Sequence, residues 1–372
     1  MAFIYEQAGW PKVTWSNDGL ATSLAAVRHQ QGLLLGKMLS LGFELRTEAS
    51  LAILTAEVVK SSAIEGEALD PEEVRSSIAR RLGLETVGLR ACGRDVEGVV
   101  EMMLDATGKF SDSLTSERLF AWHASLFPTG RSLMTPIVVG AWRTNEAGPM
   151  QVVSGALGRE IVHFQAPDAD RVASEMDVFM DWFNAESTID PVLKAGISHF
   201  WFVTIHPFED GNGRIARAIA DMALARADGM AERFYSMSSQ IAAERKAYYQ
   251  QLEAAQRGEL DITRWLGWFL ECLGRAIEDA QRTLGSILHR ATMWQRINCR
   301  PINERHRLVI TRLLDSFQGF LTTSKYAKLA KCSTDTALRD IRELVDRGIL
   351  VQNNKRGRST SYRLAEPENI KV

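Results

Sequence analysis

The chain has 372 residues, 45% of them hydrophobic and 24% charged, which is the make-up of an ordinary globular protein with room for two or three domains and excludes a low-complexity or disordered chain. A net charge of −2 gives no whole-molecule preference for nucleic acid or for an anionic surface. The four cysteines (Cys92, Cys272, Cys299 and Cys332) are scattered with no CxxC pair, which reads as buried or free thiols in a reducing compartment rather than a metal site or disulfides.

The first residues, "MAFIYEQAGWPKVTW", lack a basic segment followed by an apolar run, and no apolar stretch is long enough to span a bilayer. The expected location is cytoplasmic, without membrane contact. Most of the chain then reads as helix. From Thr47 to Ile64, Leu51, Leu54 and Val58 fall on one stripe at spacings of three and four. Continued, that stripe reaches Ser61 or Ser62 and then Glu65, with Gly66 following as a helix stop. A carboxylate that continues an apolar stripe is costly if buried without a partner, and a helix end open to solvent would leave it merely hydrated.

At 150–167, "MQVVSGALGREIVHFQAP" breaks the helical pattern. Short β-rich runs flank a glycine-containing turn, which predicts a small hairpin. "DRVASEMDVFMDWFN" (170–184) returns to helix, and "PVLKAGISHFWFVTIH" (191–206) is apolar almost all round, the pattern of a helix at a domain's centre.

The stretch "HPFEDGNGRIAR" (206–217) follows. Pro207 ends the central helix, because the residue before a proline disfavours the helical conformation. Gly211 and Gly213 allow a tight loop whose successive N–H groups form an anion-binding nest, at the start of the next helix, "RIARAIADMALARA". A helix N-terminus favours anions and repels cations, yet Arg214 and Arg217 share a face there. Without an anion that arrangement repels itself; with a polyphosphate it is complementary. Phe208 reads as the residue that pins the loop to the core. Asp210 is a hard oxygen ligand suited to Mg²⁺, and His206 is a natural general base.

"ELDITRWLGWFLECLGRAIEDAQ" (259–281) is again helical, and the pattern breaks near 290–303 at "NCRPINE". Residues 303–363 hold thirteen Lys/Arg against six Asp/Glu, a net of +7 that leaves −9 for the rest. The cadence from 321 onward is helix–turn–helix, with the second helix near 333–347, then a strand, the basic turn "NNKRGRS" and the strand "TSYRL". It resembles a winged helix, in which Lys331, Arg339, Arg342, Lys355, Arg356 and Arg358 are available to a nucleic-acid backbone.

Residues 206–217 fill every position of HxFx(D/E)GNGRxxR, and the chain resembles the Fic family, with weaker similarity over roughly residues 50 to 285. The resemblance implies a mainly α fold: a Fic-type helical core with a small β-hairpin flap, here followed by the C-terminal winged helix. The expected layout is 1–100 for an N-terminal helical region, 101–290 for the Fic core and 303–372 for the winged-helix-like domain. It implies transfer of AMP from ATP to a Ser, Thr or Tyr hydroxyl of a target protein, or of the enzyme itself. His206 would be the base, Asp210 would hold Mg²⁺, and Gly211, Asn212 and Gly213 would bind the phosphates. Arg214 would take the β-phosphate and Arg217 the γ-phosphate. Tyr249 and Gln256 would line the adenine pocket, and the hairpin at 150–167 would hold the target segment as an added strand.

"SSAIEG" matches the family's inhibitory motif (S/T)xxxE(G/N) through Ser61, Glu65 and Gly66. The resemblance therefore implies autoinhibition, with Glu65 pairing with Arg217. Removal of AMP from the target, another nucleotide-derived transfer, and a DNA-binding regulator whose core only senses nucleotide are the alternatives.

Overall fold

The computed structural model describes residues 2–84, 90–146, 148–154, 161–315, 317, 319–353 and 360–370. The chain divides into two compact units, Met1–Gln281 and Arg282–Val372.

In the first unit, α1 (Asn17–Leu39), α2 (Phe43–Ile64), α3 (Pro71–Arg81), α4 (Arg94–Gly108) and α5 (Ser116–Leu126) precede two short hairpins. The first pairs β1 (Arg131–Ser132) with β2 (Thr135–Pro136), and the second pairs β3 (Gln151–Ser154) with β4 (Ile161–Gln165), both antiparallel. Then come α6 (Ala169–Asn184), α7 (Pro191–Ile205), α8 (Asn212–Asp228), α9 (Met237–Ala243), α10 (Arg245–Gln256) and α11 (Thr263–Ile297). The hairpin expected at 150–167 is β3–β4, whose register slips by one residue at Val152/Val153; residues 155–160, which hold its glycines, lie outside the described set. The β1–β2 hairpin carries no β-branched alternation in the sequence and was not expected.

Two helix starts, those of α7 and α3, combine an aspartate cap with a proline. Asp190 caps α7, its carboxylate accepting from Val192 N at 2.8 Å, and Pro191 occupies the first helical position, where no N–H is needed. Asp70 and Pro71 start α3 in the same way. The sequence between Pro191 and His206 is apolar all round because α7 is enclosed: every residue from Ala195 to Ile205 is buried. Phe179 of α6 meets Trp201 edge-on at 5.6 Å, and the Trp265 indole of α11 donates to Gly196 O at 2.9 Å. The C-terminus of α7 and the N-terminus of α8 thereby rest on a rigid core.

In the second unit, α12 (Glu304–Asp315), α13 (Thr323–Ala330) and α14 (Thr334–Asp346) lead into β5 (Leu350–Gln352) and β6 (Tyr362–Leu364), paired antiparallel. Ile310, Leu321, Tyr326, Ile341, Leu344 and Leu350 form its core. The helix expected near 333–347 is α14, and Lys331, Arg339 and Arg342 are exposed. Lys355, Arg356 and Arg358 fall outside the described residues. The pattern break at 290–303 lies past the division between units, which falls inside α11.

Candidate active site

The site grows from the junction of α7 and α8. His206 caps α7 in a left-handed conformation (φ 53°, ψ 59°), uncommon for any residue but glycine. Arg143, buried on the segment after β2, holds it there. Its Nε donates to His206 O at 2.8 Å, its backbone N donates to Pro207 O at 2.9 Å, and its Nη2 donates to Pro167 O. His206 Nδ1 lies 3.2 Å from Val203 O, so that nitrogen carries the hydrogen and Nε2 keeps a free lone pair. Burial pushes the imidazole down to about 4, which leaves it neutral near pH 7.

The loop itself is clamped from inside. Phe208 is fully buried and stacks on His123 at 4.2 Å. His123 Nδ1 accepts from Gly140 N, which makes Nε2 the donor to Asp210 O at 3.2 Å. Asn212 accepts from Phe208 N at 2.9 Å and donates to Phe208 O at 2.8 Å. Its carboxamide closes the loop: a side chain that satisfies both polar groups of a buried Phe208 backbone is held by that need. Gly211, left-handed at φ 80°, likewise donates its N–H to Asp210 Oδ1. The Asp210 carboxylate also accepts from Ser132 Oγ of the unexpected β1–β2 hairpin. One carboxylate beside a hydroxyl fits a cation that draws its remaining ligands from water and phosphate oxygens, as Mg²⁺ does. No group of three His, Cys, Asp or Glu forms a protein cage among the described residues.

Both motif arginines are buried, and both are paired. Arg217 Nη2 lies 2.9 Å from Glu65 Oε1, its Nε donates to Ser61 Oγ at 2.9 Å, and Nη2 also donates to Ser61 O. Glu65 comes so close to the start of α8 that a Cβ added at Gly213 would stand 2.0 Å from its Oε1. Only glycine leaves room for a carboxylate at that helix N-terminus. Arg214 is held by a residue the sequence reading missed, Glu67, with Nη1 to Oε2 at 2.6 Å. Nothing in the periodicity marks Glu67, which follows the helix. The turn at Gly66 (φ 89°), with Gly66 N donating to Ala63 O and Glu67 N to Ser62 O, is what faces it toward α8.

The adenine candidates sit differently. Tyr249, 38% exposed, points its hydroxyl at Ile64 O at 3.5 Å, beside the same turn. Gln256 is buried, 3.5 Å from Thr204 Oγ1, within the packing of α10 on α7. Tyr248, which precedes Tyr249 and shares the buried face of α10 with Gln256, donates to or accepts from His199 at 2.9 Å, and burial raises its hydroxyl well above the ordinary range. A cleft of about 720 Å³ lined by Leu54, Leu82, Arg118 and Trp122 contains none of the motif residues.

Residues 113–224, from α5 into α8, match the Fic/DOC family. The chain carries a Fic/DOC-family domain. Residues 3–84 match a second model, described as a domain of unknown function (DUF4172), so Glu65 and Glu67 lie outside the Fic match itself. The Fic-domain chain is 33% identical over 117 residues to the protein adenylyltransferase fic-1 of Caenorhabditis elegans, an alignment covering 31% of this chain and 21% of that one. It is 25% identical over 227 residues to the protein adenylyltransferase Fic of Drosophila willistoni, covering 59% and 40%. The chain thus spans less than half the length of these curated relatives. A Fic family protein from Desulfovibrio desulfuricans G20 shares the fold across 95% of this chain and 98% of its own, with a TM-score of 0.55 at 22% identity. No described helix of this Fic-domain protein is long and apolar enough to cross a membrane.

Proposed function

We propose that this protein transfers AMP from ATP to a Ser, Thr or Tyr hydroxyl of a target protein, releasing pyrophosphate, and that Glu65 holds the reaction off. The observation that carries the reading is the Glu65–Arg217 contact of 2.9 Å at the start of α8: a carboxylate standing where a helix N-terminus and a buried guanidinium favour a phosphate.

The chemistry follows from the side chains. His206 Nε2, the nitrogen left free by the Val203 contact, takes the proton of the acceptor hydroxyl. That oxygen attacks the α-phosphorus, the bond from α-phosphorus to the α,β-bridging oxygen breaks, and pyrophosphate leaves with the electron pair. Arg214 binds the β-phosphate and Arg217 the γ-phosphate, while the amides at the start of α8, Gly213 among them, face the charge that builds on the phosphoryl oxygens. Asp210 would hold Mg²⁺, which would supply positive charge against the nucleotide's phosphates. Tyr249 and Gln256 are the proposed contacts of the adenine. The β3–β4 pair, with Val153 and Ile161 exposed, would take the target segment as an added strand.

In the second unit we read a winged helix. Exposed Arg339 and Arg342 on α14 support contact with a nucleic-acid backbone, a separate property from the transfer.

The test is labelling with radioactive ATP and Mg²⁺. Glu65→Gly should label itself or lysate proteins far more than the native chain, and adding His206→Ala should cut the rate by about 10²–10⁴-fold. Equal labelling of native and Glu65→Gly chains would remove the inhibitory role, and full labelling without His206 would remove the base.

A further inference from the structure

Arg214 presents a separate problem from Arg217. Its side chain is 3% exposed and lies over the Phe127 ring at 5.0 Å, and its Nε is buried with no partner among the described residues. A guanidinium so enclosed needs an anion, because an uncompensated buried charge is strongly unfavourable. Glu67 supplies it at 2.6 Å. The two carboxylates reach the two arginines from one turn: Glu65 ends α2, Gly66 at φ 89° reverses the chain, and Glu67 comes out on the other side of it. Each arginine of the cradle therefore has its own carboxylate. They differ in accessibility, since the Glu65 side chain is 29% exposed and that of Glu67 39%.

We infer that Glu67 is a specificity-determining residue of the nucleotide site: it stands in for the phosphate that Arg214 binds, and a nucleotide must displace it independently of Glu65. The inference rests on the reading that Arg214 takes the β-phosphate and Arg217 the γ-phosphate. From it follows a division by ligand. A nucleoside diphosphate has no group for Arg217, so its affinity is set against Glu67 and is indifferent to Glu65. A nucleoside triphosphate competes with both carboxylates. Removing Glu65 alone leaves Arg214 still occupied, so the Glu65 variant is only partly released.

The chemistry of displacement is favourable. Glu67 is partly exposed, and burial raises its carboxyl above the ordinary range while Arg214 opposes that rise. A phosphate with two or more charged oxygens is a stronger partner for a guanidinium than one carboxylate whose ionised form is disfavoured by burial. Glu67 thus shields Arg214 without blocking it.

The experiment is equilibrium binding of fluorescent ADP and fluorescent ATP, each with Mg²⁺, to the native chain and to Glu67→Gln, Glu65→Gln and the double variant. Glutamine keeps the length of Glu67 and an oxygen that can accept from Arg214, and thermal unfolding of each variant confirms that it is folded before binding is read. Glu67→Gln should tighten ADP about fivefold, as loss of a partly exposed competing ion pair implies, while Glu65→Gln changes ADP by less than about twofold. ATP should respond to each single change and most to the double variant. ADP affinity unaltered by Glu67→Gln, with ATP still tightened by Glu65→Gln, would overturn the role of Glu67 and leave the nucleotide site standing. If ADP tightens with Glu65→Gln instead, the assignment of the two arginines is reversed and the inference fails. Absence of binding to all four proteins would refute the nucleotide reading, and the inference with it.

Discussion

Two arginine–carboxylate clusters tie α2 to α8, about one to two helical turns apart, and they are built to opposite ends. In the first, buried Arg214 and Arg217 meet the partly exposed Glu67 and Glu65. In the second, everything is buried. Arg233 pairs with Asp228 at 2.6 Å and with Asp221 at 3.2 Å, Tyr235 donates to Asp228 at 2.7 Å, and Glu57 of α2 accepts from Ser236 Oγ at 2.6 Å and Ser238 N at 3.0 Å. The side chains of Arg233, Asp221 and Asp228 are each 2–3% exposed. The lesson is in the carboxylates. Water and solutes reach one face of Glu65 and Glu67, so an incoming anion can replace them. Nothing from solvent reaches the partners of Arg233, so that cluster fixes where α2 lies, while the carboxylates of the other stay open to exchange.

The comparison can be broken most sharply by removing each cluster in turn. Arg233→Met leaves buried carboxylates without their cation and should cost about 3–5 kcal/mol of stability, more than Glu65→Gly, because water or a solute anion can reach the place of the partly exposed Glu65 carboxylate beside Arg217. Denaturant unfolding of the three proteins decides it; comparable losses would erase the distinction between the clusters.

A smaller effect sharpens the account of the second cluster. Burial and the neighbouring Glu57 hold the Asp221 carboxyl well above its ordinary range, while Glu57 Oε1 and Asp221 Oδ2 are both buried acceptors without a donor among the described residues. A proton between them satisfies both. A carboxyl with a raised folded-state pKa stabilises most at low pH and loses that contribution as pH rises through its folded value. Asp221→Asn supplies a permanent donor, so its stability at pH 7 should match or exceed that of the native chain, and the native-minus-variant difference should fall as pH rises above the ordinary aspartate range. Thermal unfolding followed as pH rises would contradict this if the variant were the less stable at pH 8.

The sequence carried the cradle well, because the loop's constraints are local. Proline after His206, the glycines and the arginines three apart sit within twelve residues, and α7 shows its burial by being apolar on every side. The stripe down α2 led to Glu65 for the same reason. What the sequence could not carry depends on distant chain segments. Arg143 is 63 residues before the His206 carbonyl it binds. Glu67 is turned to Arg214 only by the backbone at Gly66. Tyr248 and Tyr249 are neighbours on one helix, and which of them faces the core depends on α7, not on their own spacing. The part Asn212 plays in closing the loop is not legible either, because it depends on the buried backbone of Phe208.

The central claim is that Glu65 stands where a nucleotide's terminal phosphate belongs. Titration calorimetry of ATP with Mg²⁺ tests it directly. Glu65→Gly should bind the nucleotide more tightly than the native chain by about tenfold, the effect of some 1.4 kcal/mol. If the variant takes up no heat-detectable ATP, or binds it no better than the native protein, the carboxylate is not a phosphate surrogate and the account is wrong.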